Sequence, residues 1–452
     1  MNKMFIILSF LVFSLALSST FSQEKSKVTI SGISSGGFMA NQMATIFSSE
    51  ISGVGTVAGG FYYCAEDYLP KKIKQDAKTI GTTNLFLFEP TEKVISDTLN
   101  PFIIFRGLNP QTWFRPQKGN PIYRSVAICM GEPDKAQLET AYLKKNEENH
   151  LIDPLFHLRD QKVYLFQGLA DSVLNSHMQN KLKEHYLAVG VKSENIQMEE
   201  GEGSHNFPTV RTDGIDCGSE EVPYVSSCGI DVAGNILKQL VKTSLVRGEF
   251  TKEHIYLVDQ TDFFNGTKRE EEWVQPSASI APYGYLYASD KCLETPGLCH
   301  LHVALHGCKM SDSYQESFQA QYQNQVNAYK ILSMRSKKDW RGFTNVLPFI
   351  EDKVNQYGLL KFVQDAGYLE YAEANNVMVL FPQTWITEAN FPYNPKGCWD
   401  WFGWTDEQYA TKKGAEAKWL MPFIRSVAEN PKARILSVKP KFDLVEKNFP
   451  RK

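Results

Sequence analysis

The chain has no C-x-x-C pair among its eight cysteines and no H-E-x-x-H stretch. The common sequence patterns for zinc are therefore missing, and neither a metal nor an organic cofactor is expected. Charge of one sign is also lacking: 48 Lys and Arg stand against 51 Asp and Glu, so no basic field points to nucleic acid. Tandem repeats and low-complexity linkers are missing, which argues against a string of small modules. Beyond residues 1–22 no apolar run approaches the length of a membrane span, and stable membrane insertion is not expected.

Residues 1–22, "MNKMFIILSFLVFSLALSSTFS", combine one early lysine, a short apolar core and a small-residue end. That is the pattern of a cleaved secretory signal, and its apolar core is too short to read as an anchor. About 430 residues would then remain, more than a single hydrophobic core usually organises, so either two domains or one domain with insertions is expected. The sequence predicts one catalytic domain over 24–430 and a solvated tail over 431–452. All eight cysteines follow the signal, which in an oxidising compartment predicts disulfides. Cys217 with Cys228, and Cys292 with Cys299, lie close enough to staple single loops, although spacing alone does not fix the pairing.

Short apolar strands alternate with helical periodicity, the pattern of an α/β fold with a mostly parallel, doubly wound sheet. Strands are predicted at "KVTIS" (27–31), "KVYLFQ" (162–167), "IQMEE" (196–200), "HIYLVDQ" (254–260), "GYLYAS" (284–289), "LHVALHG" (301–307) and "NVMVLFPQ" (376–383). Residues 66–128 and 312–362 fit this plan poorly and read as two large insertions.

"KVTIS" runs into "GISSG", after which Met39, Ala40, Met43, Ala44 and Phe47 recur at helical spacing. A G-x-S-x-G centred on Ser34 thus sits on a strand-to-helix turn. There the glycines let neighbouring backbone pass, and the helix N-terminus favours developing negative charge. By itself the pattern is unspecific, since a glycine-rich turn is often only a turn; the strand before and helix after it sharpen the reading. Ser31 and Ser35 are not centred between glycines. Ser35 would lend its backbone amide to an oxyanion hole.

A serine hydroxyl needs a base and an orienting carboxylate. Asp171 follows the strand "KVYLFQ" and His205 follows "IQMEE", in the order Ser, Asp, His. Asp171 could instead cap a helix near Ser172, and a loop histidine is commonly surface decoration. His150, His157, His177 and His185 lack strand-end placement and rank below His205.

"LHVALHGC" ends in His306, Gly307 and Cys308 and resembles the H-G loop that supplies a second oxyanion amide in lipases and esterases. There the loop precedes the nucleophile; here it follows it. Joined end to start, the strands fall into the usual hydrolase succession, so the α/β-hydrolase fold is predicted in circularly permuted form.

The segments "GISSGGFMA", "YLFQGLADSVL", "GSHNFP", "DCGSEEVPYVSSCGIDVAG", "CHLHVALHGC", "GYLEYAEANNVMVLFPQ" and "NPKGCWDWFGWT" resemble those of polyhydroxybutyrate depolymerases and related secreted esterases. The resemblance implies Ser34 as nucleophile, Asp171 and His205 as its partners, and the backbone amides of Ser35 and Cys308 as the oxyanion hole. It implies that Trp399 lines the subsite for the acyl or polymer chain, with His306 as a further substrate-binding candidate. Trp399, Trp401 and Trp404 can also be read as core. A Cys308–Cys398 bridge pinning the oxyanion loop is implied as well.

The two insertions are longer than the family leads one to expect and would form a lid or decorate the rim. The chain ends without a linker and polymer-binding module, so tight adsorption to crystalline polymer is not expected. The expected activity is hydrolysis of poly- or oligo-(3-hydroxybutyrate)-type esters by a secreted monomer in an extracellular, periplasmic or other oxidising compartment. A carboxylesterase of feruloyl or acetyl esters is the alternative. A binding protein on an inactive scaffold is disfavoured, because every catalytic position holds a competent residue.

Overall fold

The computed structural model describes residues 28–65, 128–136, 138, 140–241, 243–261, 278–281, 283–315, 360–386 and 394–437. The expected signal, nearly all of both insertions and the tail beyond 437 lie outside the described residues.

The chain enters through β1 (Val28–Ile33), buried along its whole length, turns into α1 (Ser35–Ile46) and continues into β2 (Ile51–Val57). Then come α2 (Thr140–Glu148), β3 (Lys162–Gly168), α3 (His177–Ala188) and β4 (Ile196–Gly201). Three short strands follow, β5 (Phe207–Thr209), β6 (Ile215–Asp216) and β7 (Val225–Ser227), and then α4 (Val232–Leu240). The second half supplies β8 (Ile255–Asp259), β9 (Tyr283–Tyr287), α5 (Asp290–Glu294), β10 (His300–Leu305), α6 (Lys361–Asp365), α7 (Leu369–Asn375), β11 (Val377–Phe381) and α8 (Ala415–Glu429).

Eight strands form one sheet in the order β4-β3-β2-β1-β10-β11-β9-β8, and β5-β7-β6 form a small second sheet. Neighbours from β4 to β11 are parallel; β9 runs antiparallel to both β11 and β8. From the β8 edge, strands of the C-terminal half come first and β1 is fifth. The strands that the end-to-start reading puts before β1 do lie on that side of it, with β10 and β11 exchanged in space relative to their chain order.

Successive strand residues face opposite sides of the sheet. Val28 and Ile30 join a core with Met39 and Met43 of α1, Tyr186 of α3 and Phe423 of α8. Ile33 joins another with Ile236 of α4 and Leu369 of α7. Helices therefore cover both faces, as parallel strands require.

All seven predicted strands are present within a residue or two, but β2 was not foreseen. Its sequence, "ISGVGTV", carries two glycines that dilute any strand signal. Their reason lies in packing: a Cβ on Gly55 would stand 2.9 Å from the Ile236 side chain, and one on Gly53 3.1 Å from Leu240. Close approach of α4 to the sheet calls for the glycines that hide the strand.

Disulfides join Cys64 to Cys129, Cys217 to Cys228, Cys292 to Cys299 and Cys308 to Cys398, the bonds of a chain folded in an oxidising compartment. Cys64–Cys129 closes the base of the first insertion. No helix among the described residues is long and apolar enough to cross a membrane.

Candidate active site

Ser34 sits between β1 and α1 with φ 54° and ψ −123°, a region that side chains other than glycine rarely occupy. Two glycines make the turn possible. A Cβ on Gly32 would lie 2.3 Å from the Gly36 carbonyl group, and one on Gly36 would lie 2.4 Å from the His306 carbonyl oxygen. The serine N–H donates to the Val57 carbonyl at 3.0 Å, tying the elbow to β2.

The loops after β3 and β4 bring Asp171 and His205 to the same end of the sheet. Ser34 Oγ lies 2.9 Å from His205 Nε2, and His205 Nδ1 lies 2.9 Å from Asp171 Oδ2. A carboxylate only accepts, so the Nδ1–H donates to Asp171 and Nε2 is left to accept the serine proton. Asp171 has a side chain with 0% exposure. Its Oδ1 accepts the backbone N–H groups of Val173 and Leu174, and Gln167 Nε2 donates to its Oδ2. No helix begins at Ser172, residues 172–174 being bends and α3 starting only at His177, so Asp171 is not a helix cap: its Oδ1 holds the turn and its Oδ2 faces His205. Burial alone would push the His205 imidazole down, but Asp171, with Glu220 adding to it, holds it above its ordinary value.

The loop after β10 lies against the elbow: a Cβ on Gly307 would meet the Ser34 Cβ at 3.3 Å. Cys308 is the next residue and is bonded to Cys398. Ser35 opens α1 and is buried. His306 has 0% exposure. Its Nδ1 donates to the Gly307 carbonyl at 2.8 Å, and its Nε2 accepts from the Thr384 N–H at 3.4 Å. Burial pushes this imidazole down to about 4, so it stays neutral and pins the loop.

Trp399 also has 0% exposure. Its indole N–H donates to the His306 carbonyl at 3.0 Å, and its backbone N–H reaches Ser35 Oγ at 3.4 Å. Both residues expected to bind substrate are thus fully buried and bonded to the backbone of the loop after β10. Trp401 is buried too and stacks on Phe38 at 4.0 Å.

Three residues near the site escaped the sequence reading. Asp400 is buried, and its carboxylate gathers the N–H groups of Phe402, Gly403, Trp404 and Thr405; burial nevertheless pushes it up to about 6. Glu416 accepts the Asp400 N–H at 2.8 Å. Glu220 contacts both loops that carry Asp171 and His205. Only its place inside "DCGSEEVP" marked that stretch. No group of three or more potential metal ligands occurs among the described residues.

No protein-family model matches the chain. It is 25% identical over 397 residues to a poly(3-hydroxybutyrate) depolymerase of Delftia acidovorans, an alignment covering 87% of this chain. It is 25% identical over 395 residues to a polyhydroxybutyrate depolymerase of Talaromyces funiculosus, covering 85% of this chain. The chain is related to the polyhydroxybutyrate depolymerases. It spans 58% of the length of the Delftia relative and 84% of the Talaromyces one. Two solved structures share its fold, each with TM-score 0.59 and 22% identity over 90% of this chain and 97% of the other. One is a depolymerase of Penicillium funiculosum. The other is a serine-to-alanine depolymerase variant complexed with an R3HB trimer. The α/β-hydrolase fold is thus shared with the depolymerases.

Proposed function

We propose that the chain is a secreted, monomeric serine hydrolase that cleaves poly- or oligo-(3-hydroxybutyrate)-type esters through an acyl-enzyme on Ser34. The observation that carries the reading is the unbroken line Ser34–His205–Asp171, with both hydrogen bonds at 2.9 Å. The polyester substrate follows from the relatives, one of whose solved structures holds an R3HB trimer.

His205 accepts the Ser34 proton as Oγ attacks the ester carbonyl. The amides of Ser35 and Cys308 stabilise the oxyanion, while Asp171 holds the imidazole in the right tautomer and balances its charge. The ester C–O bond then breaks and the leaving alkoxide takes the proton from His205. Water, deprotonated by the same imidazole, attacks the acyl carbonyl; the bond to Ser34 Oγ breaks, Oγ takes the proton back from His205, and the acid is freed.

The test offers the purified protein 3-hydroxybutyrate oligomers beside feruloyl and acetyl esters. The reading predicts a kcat/KM for the oligomers more than about tenfold above the others. A smaller preference would favour the general carboxylesterase. In either case Ser34→Ala should lose roughly 10³-fold or more in turnover while staying folded.

A further inference from the structure

We infer that Glu220 is a positioning residue for the Ser34 reaction: its carboxylate clamps together the two loops that carry Asp171 and His205 and adds negative charge beside the imidazole. The inference rests on the hydrolase reading above.

The geometry is that of one acid serving two loops. Glu220 Oε1 accepts from the Ser172 N–H at 2.8 Å and Oε2 from the Ser172 hydroxyl at 2.5 Å; Ser172 directly follows Asp171. On the other side Oε1 accepts from the Ser204 hydroxyl at 2.6 Å and from the His205 N–H at 3.2 Å. The two anchor points, 172 and 204–205, belong to loops leaving adjacent strands, β3 and β4. The loops also meet directly, the Leu169 and Ala170 N–H groups donating to the Gly201 and Gly203 carbonyls at 3.0 and 2.9 Å, and the half-buried Glu220 side chain adds the tie nearest to Asp171 and His205.

The clamp is itself held. Its loop is closed by Cys217–Cys228, and Asn206, next to His205, donates to the carbonyls of Cys217 and Ser219 at 2.8 Å each. The Ser204 N–H bonds the Cys217 carbonyl at 3.0 Å. Burial favours protonation of Glu220, but the bonds from Ser172, Ser204 and His205 outweigh it and keep the carboxyl below its ordinary value. The charge is thus present throughout the pH range in which His205 titrates. Among the described residues, Asp171 on the loop after β3 and Glu220 on the loop after β6 are the charged groups acting on the imidazole.

Glu220→Gln keeps one oxygen for the Ser172 N–H, the Ser204 hydroxyl and the His205 N–H, replaces the other by an NH2 that the Ser172 hydroxyl can accept from, and removes the charge; Glu220→Ala removes the clamp. For Glu220→Gln the acid limb of kcat/KM, which reports the His205 base, should move to lower pH by about half a unit or more, with kcat on the plateau little changed. For Glu220→Ala, kcat should fall by roughly 10- to 100-fold while KM changes by less than about threefold, because the reacting groups lose alignment and the pocket does not. The downfield Nδ1–H resonance of His205 gives a second readout that needs no substrate, and its titration midpoint should fall in Glu220→Gln.

A limb and a resonance that both stay in place in Glu220→Gln would overturn the inference, even where Glu220→Ala fails to fold. A resonance that shifts while Ser34→Ala hydrolyses esters as well as the parent protein would instead overturn the hydrolase reading and leave the clamp standing.

Discussion

The side of the site that carries Asp171 and His205 is held by charged hydrogen bonds, with Asp171 and Glu220 each accepting several. The side that carries Ser35 and Cys308 is held by buried rings, glycine contacts and the Cys308–Cys398 bond. The base side must keep an imidazole basic and aimed, which takes negative charge at fixed distance. In the proposed mechanism the oxyanion side must hold the amides of Ser35 and Cys308 still beside a developing anion. The loop after β10 is pinned by a neutral His306 and an indole, and the buried Asp400 beside Trp399 spends its carboxylate on the amides of its own loop. Changes on the first side should alter how activity depends on pH; changes on the second should lower activity and stability without moving the pH limb.

The largest expected effect is on the base side. Asp171→Asn should lower kcat by roughly 10³- to 10⁴-fold through the wrong histidine tautomer, measured with a soluble ester, and leave the melting temperature nearly unchanged. A loss below tenfold would break the comparison there. On the oxyanion side, Gly36→Ala puts a Cβ 2.4 Å from the His306 carbonyl oxygen. That should cost about 2 kcal/mol or more by denaturant titration, as overpacking against backbone does. Trp399→Phe removes the N–H that the His306 carbonyl accepts and should cost about 1–2 kcal/mol. Its kcat should drop with the acid limb unmoved, and a moved limb would show that the two sides are not separable.

The smallest effect concerns Glu416, under the Trp399 loop. Burial, with Asp400 nearby, holds its carboxyl well above the ordinary value of 4.5. The folded state therefore holds a proton that the unfolded state releases, so the stability this group contributes is full below pH 4.5 and declines as pH rises above it, until the folded carboxyl also ionises. Glu416→Gln should accordingly raise the melting temperature at pH 8 by a few degrees, about 1 kcal/mol, and change little near pH 4.5. Parallel melting curves for the two proteins across that range would contradict the assignment.

The base side was also the more legible in the sequence. Asp171 follows a strand, "KVYLFQG", that its aromatic and β-branched residues announce; His205 follows the more polar "IQMEEG", and the elbow announces Ser34. The permuted order could be read because each strand was recognisable by itself. What could not be read depends on partners far away in sequence. Glu220 is one of two adjacent glutamates, and what distinguishes it is a bond to Ser172, 48 residues earlier. Trp399 reads equally as a subsite ring or as core, because its hydrogen-bond partner, the His306 carbonyl, lies 93 residues earlier. Asp400 lies between two tryptophans and has the look of a surface acid, until its own loop is seen to wrap amides around it. The missed strand β2 shows the same limit in the backbone, since its glycines answer to a helix that begins at Val232.

The central claim is that Ser34 is the nucleophile activated by His205, and covalent labelling tests it most directly. Incubation with a fluorophosphonate followed by intact-mass and peptide mapping should show one adduct, on the peptide containing Ser34. The adduct should vanish in Ser34→Ala and form far more slowly in His205→Ala. An adduct on another serine, or labelling of Ser34→Ala at the rate of the parent protein, would contradict it.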